Sequence, residues 1–111
     1  MEQQLRAIIM PLSEQLIKQL TAAMEDRGQE KVTRLWLEMR LMALLAVMAV
    51  GIMKGVMEGV IGRCYQGSGI ACPGCGGRMK FQRYAPRPVI SGFGRFTYER
   101  AYYYCPRCGQ G

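Results

Sequence analysis

Apolar residues at the start of the chain recur at helical spacing. Leu5, Ile8, Ile9, Leu12, Leu16 and Leu20 follow one another at steps of one, three and four, which gathers them on one stripe of a helical surface between Glu2 and Met24. Pro11 falls inside the stripe and removes an amide donor, so the sequence predicts a kink there or a helix that begins near it. Glu25 to Gln29 supplies a turn, with Gly28 as a left-handed cap. A second helix is expected from about Glu30 to Gly62, opening on the solvated ion-pair row Glu30, Arg34 and Glu38. Its middle, Leu41 to Met53, carries no charge over 13 residues. A bilayer span needs about 20 apolar residues. Arg40 bounds the run on one side and Lys54 with Glu58 on the other, so burial among helices is expected and a membrane is not.

Three glycines, Gly51, Gly55 and Gly59, stand four apart on one face of that helix. Each costs roughly 1 kcal/mol against alanine inside a helix, which suggests that a neighbouring backbone approaches closely. The expected partner is a second copy of the chain, because one other helix is too little to cover an apolar element of this length. The alternative is that the glycines only fray the helix towards the segment that follows. Met39, Met42, Met48, Met53 and Met57 are read as adaptable core filling.

The texture changes at Gln66-Gly67-Ser68-Gly69, where a Met/Leu/Ala-rich segment gives way to one rich in Gly, Pro, Arg and Tyr. A helical region, residues 1–65, and a ribbon, residues 66–111, are therefore expected. Within the second, Arg78 to Tyr84 alternates around Met79 and Phe81, and Val89 to Ser91 is strand-like. Gly92-Phe93-Gly94 is a turn, and Arg95 to Tyr104 is a long strand with Phe96, Tyr98, Arg100, Tyr102 and Tyr104 on one face.

Four of the five cysteines carry the sharpest pattern. Cys72-Pro73-Gly74-Cys75-Gly76 and Cys105-Pro106-Arg107-Cys108-Gly109 are two copies of Cys-Pro-x-Cys-Gly, with 29 residues between Cys75 and Cys105. Two intervening residues let both sulfurs of a copy reach one ion, and the glycine after the second cysteine permits a positive φ while amides turn towards the thiolates. Four thiolates in tetrahedral array suit one structural zinc ion, with iron as the alternative; a redox pair or a disulfide pair fits the duplicated motif and a reducing compartment less well. A ribbon of about 40 residues buries too little apolar surface to fold by itself, so an ion worth on the order of 10 kcal/mol would decide whether it folds. Cys64 lies outside the pattern and is read as an idle or buried thiol.

Charge and composition narrow the function. Residues 1–65 carry a net +1 and residues 66–111 a net +6, so the basic character belongs to the ribbon, which favours a polyanionic partner. Arg78, Lys80, Arg83, Arg87, Arg95, Arg100 and Arg107, interleaved with tyrosines, are the candidate nucleic-acid contacts, with Arg83, Arg87 and Arg95 foremost. The chain has no histidine and only one aspartate, Asp26. Catalytic Ser-His and Cys-His pairs and zinc fingers with mixed cysteine and histidine ligands are excluded, and a two-metal nuclease site has little to draw on. Four cysteine ligands leave no open position for an activated water, so no enzyme and no small-molecule substrate are expected. The start Met1-Glu2-Gln3-Gln4 lacks the basic segment of a signal peptide, and a cytoplasmic protein is expected.

Cys72 to Gly111 resembles the amino-terminal zinc-ribbon region of ISKra-type insertion-sequence transposases. The resemblance is carried by the two Cys-Pro-x-Cys-Gly copies, Arg87-Pro88-Val89, Gly92-Phe93-Gly94 and the run Arg100-Ala101-Tyr102-Tyr103-Tyr104 before Cys105. It implies transposon-end recognition or subunit assembly, with strand transfer left to a downstream acidic-triad domain that these 111 residues do not contain. The expectation is an α+β protein, a helical hairpin followed by a small four-cysteine zinc ribbon of antiparallel strands, that is non-catalytic, binds double-stranded DNA through its ribbon and forms a homo-oligomer, a dimer, through its helices. The alternative is a protein-interaction module whose ribbon is purely structural.

Overall fold

A computed structural model describes residues 1–111. Helix α1 spans Glu2–Arg27, and a short 3-10 turn at Gln29–Lys31 leads to α2 at Arg34–Gly55. The second helix continues through a π-helical turn at Val56–Val60. Three strands follow, β1 at Gly69–Ala71, β2 at Arg78–Ser91 and β3 at Gly94–Tyr104, forming one antiparallel sheet in the order β1-β2-β3. The molecule is a rod of 67 × 27 × 16 Å with a radius of gyration of 19.9 Å. A compact chain of this length would have about 13 Å.

The helices form where the apolar stripe required them. α1 runs unbroken through Pro11, whose ring sits on the exposed side. Gly28 ends it at φ 89°, and its amide donates to the Met24 carbonyl. Thr33 caps α2 by accepting the Trp36 amide at 3.2 Å, which moves the start of that helix from the expected Glu30 to Arg34. The side chain of Trp36 lies under the guanidinium groups of Arg27 and Arg40 and ties the two helix ends together at the turn.

The glycine face of α2 meets α1 of the same chain. A Cβ on Gly55 would come within 2.6 Å of Ile8 Cγ2, and one on Gly51 within 2.9 Å of Leu12 Cδ2, whereas one on Gly59 would stand at an ordinary contact distance of 3.9 Å from Ile8 Cδ1. Farther along the crossing, Leu12 and Leu16 face Leu44 and Met48. The close helix approach expected from the glycines is present, but the backbone that uses it is intrachain; the expected second copy does not take this face. The stripe Leu5, Ile8, Ile9, Leu12, Leu16 and Leu20 is half-buried throughout. No residue of either helix is fully buried. Counted through the π-helical turn, the second helix is 27 residues long with a mean hydropathy of 1.9 in its most apolar window, long and apolar enough to cross a membrane by length and composition alone.

The sheet differs from the sequence reading in three ways. β2 is one continuous strand of 14 residues that includes Pro86 and Pro88, because both sit on exposed positions of a two-stranded ribbon that needs no amide from them. β1 adds a short third strand from the segment read as a linker, pairing Gly69 with Lys80 and Ala71 with Arg78. That segment is fixed by Tyr103, whose hydroxyl donates to the Gly67 carbonyl at 2.7 Å and accepts the Gln66 amide at 2.8 Å. The third difference is a bulge in β2 between Phe81 and Arg83.

β3 lies along the end of the helical hairpin, with Phe96 half-buried and Tyr98 buried there. Its free edge is capped by the chain that leaves α2. The Glu99 amide donates to the Glu58 carboxylate at 2.8 Å, and the Ala101 amide donates to the Arg63 carbonyl at 2.8 Å. Arg63 also stacks its guanidinium 4.7 Å from the Tyr84 ring centre and approaches Glu99 at 3.9 Å. Arg63 and Cys64 both hold a φ of 59°, a conformation that side chains other than glycine adopt at a cost of about 1 kcal/mol or more. At Glu99 and Ala101 the edge is thereby closed to another strand.

The crossing makes a quantitative prediction. Gly55→Ala should destabilise the chain by about 1–3 kcal/mol through overpacking against Ile8. Combined with Ile8→Ala, the loss should be clearly smaller than the sum of the two single losses, as urea denaturation followed by helical circular dichroism would show.

Candidate metal centre

The two cysteine knuckles fold alike because their sequences repeat. In the first, the Cys72 amide donates to the Gly77 carbonyl at 2.7 Å and the Gly76 amide to the Cys72 carbonyl at 3.0 Å. In the second, the Cys105 amide donates to the Gln110 carbonyl at 2.9 Å and the Gly109 amide to the Cys105 carbonyl at 2.8 Å. Gly76 and Gly109 hold φ 74° and 75°, the left-handed geometry for which the motif requires glycine.

β2 and β3 carry the knuckles into register at the end of the hairpin. All four sulfurs lie within 4.8 Å of one another. Cys72 Sγ is 3.6 Å from Cys108 Sγ, and Cys75 Sγ is 3.6 Å from Cys105 Sγ. Sulfurs placed about 2.3 Å from a shared tetrahedral ion stand about 3.8 Å apart, so the cage has the size of a metal site. None of the five cysteines is in a disulfide.

The cage is also the centre of the ribbon's core. Cys105 is fully buried and Cys72 nearly so, and they cluster with Met79, Ala101 and Tyr103. Ile70, Cys75 and Phe81 pack around this group, and Phe81 meets Tyr65, Tyr84 and Tyr103 edge to face. With so few buried side chains, the sulfurs are a large share of what this end of the molecule can fold around.

Metal-free, the thiols divide their protons unevenly. The Cys108 amide, aimed at Cys105, brings that thiol down to about 7 against its burial. The Cys75 amide lowers Cys72 in the same way. Cys75 is lowered by the Gly77 amide, yet the Cys105 sulfur and desolvation outweigh it and leave the thiol above its usual range. Cys108 is lowered by the Gln110 amide, yet desolvation and the Cys72 and Cys105 sulfurs push it up to about 12. A bound cation would replace the protons and neutralise the crowded sulfurs.

Elsewhere the structure sorts the basic residues by face. Cross-strand pairing puts Lys80 beside Tyr104, Arg83 beside Tyr102, Ala85 beside Arg100, and Arg87 beside Tyr98. Arg78, two residues before Lys80, shares that face. The bulge is what unites them, since strict alternation would have sent Arg83 and Arg87 to the side of Met79 and Phe81. Arg95 pairs with Ile90 on the opposite face, and Arg107 lies in the second knuckle with its side chain 3.3 Å from the space above Gly77. Arg83 lies 5.9 Å from the Tyr102 ring centre. Gly51 and Gly55 belong to the helix crossing, and Gly59 follows them, so none of the three joins this site. Comparison with family models, curated proteins and solved structures gives no match for the chain.

Two measurements check the centre. Titrating Zn2+ into the reduced, metal-free protein at pH 7 should release between two and four protons per site, because Cys75 and Cys108 are protonated there and Cys105 partly so. Affinity should therefore fall as the pH is lowered below 7. Cys105→Ser should lose the bound metal and the amide dispersion of β1 to β3 in NMR spectra while the helical circular dichroism persists.

Proposed function

We propose that this protein is a non-enzymatic zinc-ribbon DNA-binding protein, in which one zinc ion held by Cys72, Cys75, Cys105 and Cys108 shapes a basic ribbon that binds duplex DNA. Zinc is favoured over iron because the site has a purely structural setting: four thiolates and a core built directly around them.

The observation that carries the DNA reading is the gathering of Arg78, Lys80, Arg83, Arg87 and Arg100 on one face of the ribbon beside Tyr102 and Tyr104. All but Arg100 are exposed, and Arg100 is half-exposed. Five cations along a rigid two-stranded surface can follow a phosphate backbone, and tyrosines among them can pack on sugars or hydrogen-bond phosphates. The zinc centre, two thiolate charges in excess of its ion, reduces the ribbon's net charge from +6 to about +4. The same face runs on through Tyr98 and Phe96 towards the helices, so the part open to a polyanion is the stretch nearer the cysteines, Arg78, Lys80, Arg83 and Arg100, with the exposed Arg87 at its margin beside Tyr98. The resemblance of the ribbon to the one that precedes the catalytic domain of ISKra-type transposases points the same way, to recognition of DNA and not to its cleavage.

A gel-shift titration of the metal-loaded chain on duplex DNA at several salt concentrations tests this. About four phosphate contacts predict a log-log slope near −3 to −4. Arg83→Ala with Arg87→Ala should weaken binding at least tenfold with the metal content unchanged, whereas Arg95→Ala, on the other face, should change it less than twofold. Absence of any shift at low micromolar protein would leave the ribbon a structural cap for a protein-interaction module.

A further inference from the structure

The second helix has two apolar faces, and α1 covers only one. Gly51, Gly55, Leu44 and Met48 face α1. On the opposite side, Leu35, Met39, Met42, Ala46, Ala49 and Met53 recur at steps of four, three, four, three and four, the spacing of a coiled-coil seam. This seam holds no charge over about 27 Å of helix. Its first half is open to solvent, with Leu35 65%, Met39 63% and Met42 73% exposed, while Ala46 and Ala49 are half-buried and Met53 is 37% exposed. Leu45, also exposed, flanks its midpoint. β3 meets α2 at Val50, to one side of the seam, where a Cβ on Gly94 would stand 3.7 Å from Val50 Cγ2.

We infer that a second copy of this chain occupies the seam, with the two α2 helices packed antiparallel about a two-fold axis at the level of Leu44. The order of side-chain sizes selects both the occupant and the direction. Antiparallel, the layers pair Leu35 with the partner's Met53, Met39 with the partner's Ala49 and Met42 with the partner's Ala46, and symmetry repeats each pair. Every methionine in the middle then lies over an alanine, and large meets small as dense packing demands. Parallel pairing would stack Met39 and Met42 on their own copies and leave facing alanines with a void. Five exposed large side chains of roughly 100 Å² each give about 500 Å² per copy, or about 1,000 Å² in total, the lower bound of a specific interface. An area of this size suits a reversible dimer. The two ribbons would then project from opposite ends of a central helical pair. The assignment rests on helix residues alone and stands or falls apart from DNA binding by the ribbon.

Sedimentation of the full metal-loaded chain at tens of micromolar, without detergent, should show a dimer. Met42→Glu should sediment as a monomer with unchanged helicity and metal content, since Met42 supports nothing within the chain, while Met10→Glu on the exposed side of α1 should remain dimeric. A spin label at Arg34→Cys in a Cys64→Ser background reads the direction. A separation of about 30 Å is expected for the antiparallel pair, and about 10–15 Å would overturn the proposed register. A monomer at these concentrations would overturn the dimer. So would flotation with neutral phosphatidylcholine vesicles by the wild-type chain but not by Met42→Glu, which would assign the seam to lipid.

Discussion

Four sulfur atoms crowded into a space of 4.8 Å are the constraint on which the ribbon depends. Without a cation they are a repulsive cluster that shares protons unequally, and the apolar group around them amounts to a handful of side chains. With a cation they become the crossing point of β1, β2 and β3. The knuckles supply the remaining requirement, because a glycine at positive φ in each turns the backbone so that amides face the sulfurs. Local chain geometry and the electrostatics of the site therefore ask for the same thing, a metal cation at the base of the hairpin.

From that base the hairpin reaches back towards the helices, and its docking there explains several residues that are otherwise unremarked. Glu58 and the Arg63 carbonyl take two of the outward amides of β3, at Glu99 and Ala101. The π-helical turn at Val56–Val60 and the two left-handed residues Arg63 and Cys64 bend the chain into the position from which it can do so. Strain of this kind persists only where surrounding contacts over-determine it. Here the contacts are the strand edge, the Tyr84 ring and Glu99.

The same economy governs the two ends of the rod. At one end a single bulge transfers Arg83 and Arg87 to the face of Lys80 and Arg100, so that a modest excess of positive charge becomes a continuous surface. At the other, glycines allow α1 to approach one side of α2 closely, and the opposite side is left apolar and uncovered. The helical hairpin has no fully buried residue and is held by half-buried stripes along its crossing.

Much of this was written locally in the sequence. The stripe from Leu5 to Leu20, the Gly28 cap, the two knuckles and the Gly92-Phe93-Gly94 turn each follow from residues close together in the chain. Their periodicity or backbone preference acts within a few residues. What the chain could not announce were relations between distant residues. The partner of the glycine face, the pairing of Gly69 to Ala71 with β2, the bulge that reassigns Arg83 and the capping of β3 by Arg63 all depend on which segments meet. Alternation reports that a strand has two faces, but cross-strand register decides which of them a given arginine joins. Register is fixed by the cysteine base and by packing along α2, and so only the folded chain could settle it.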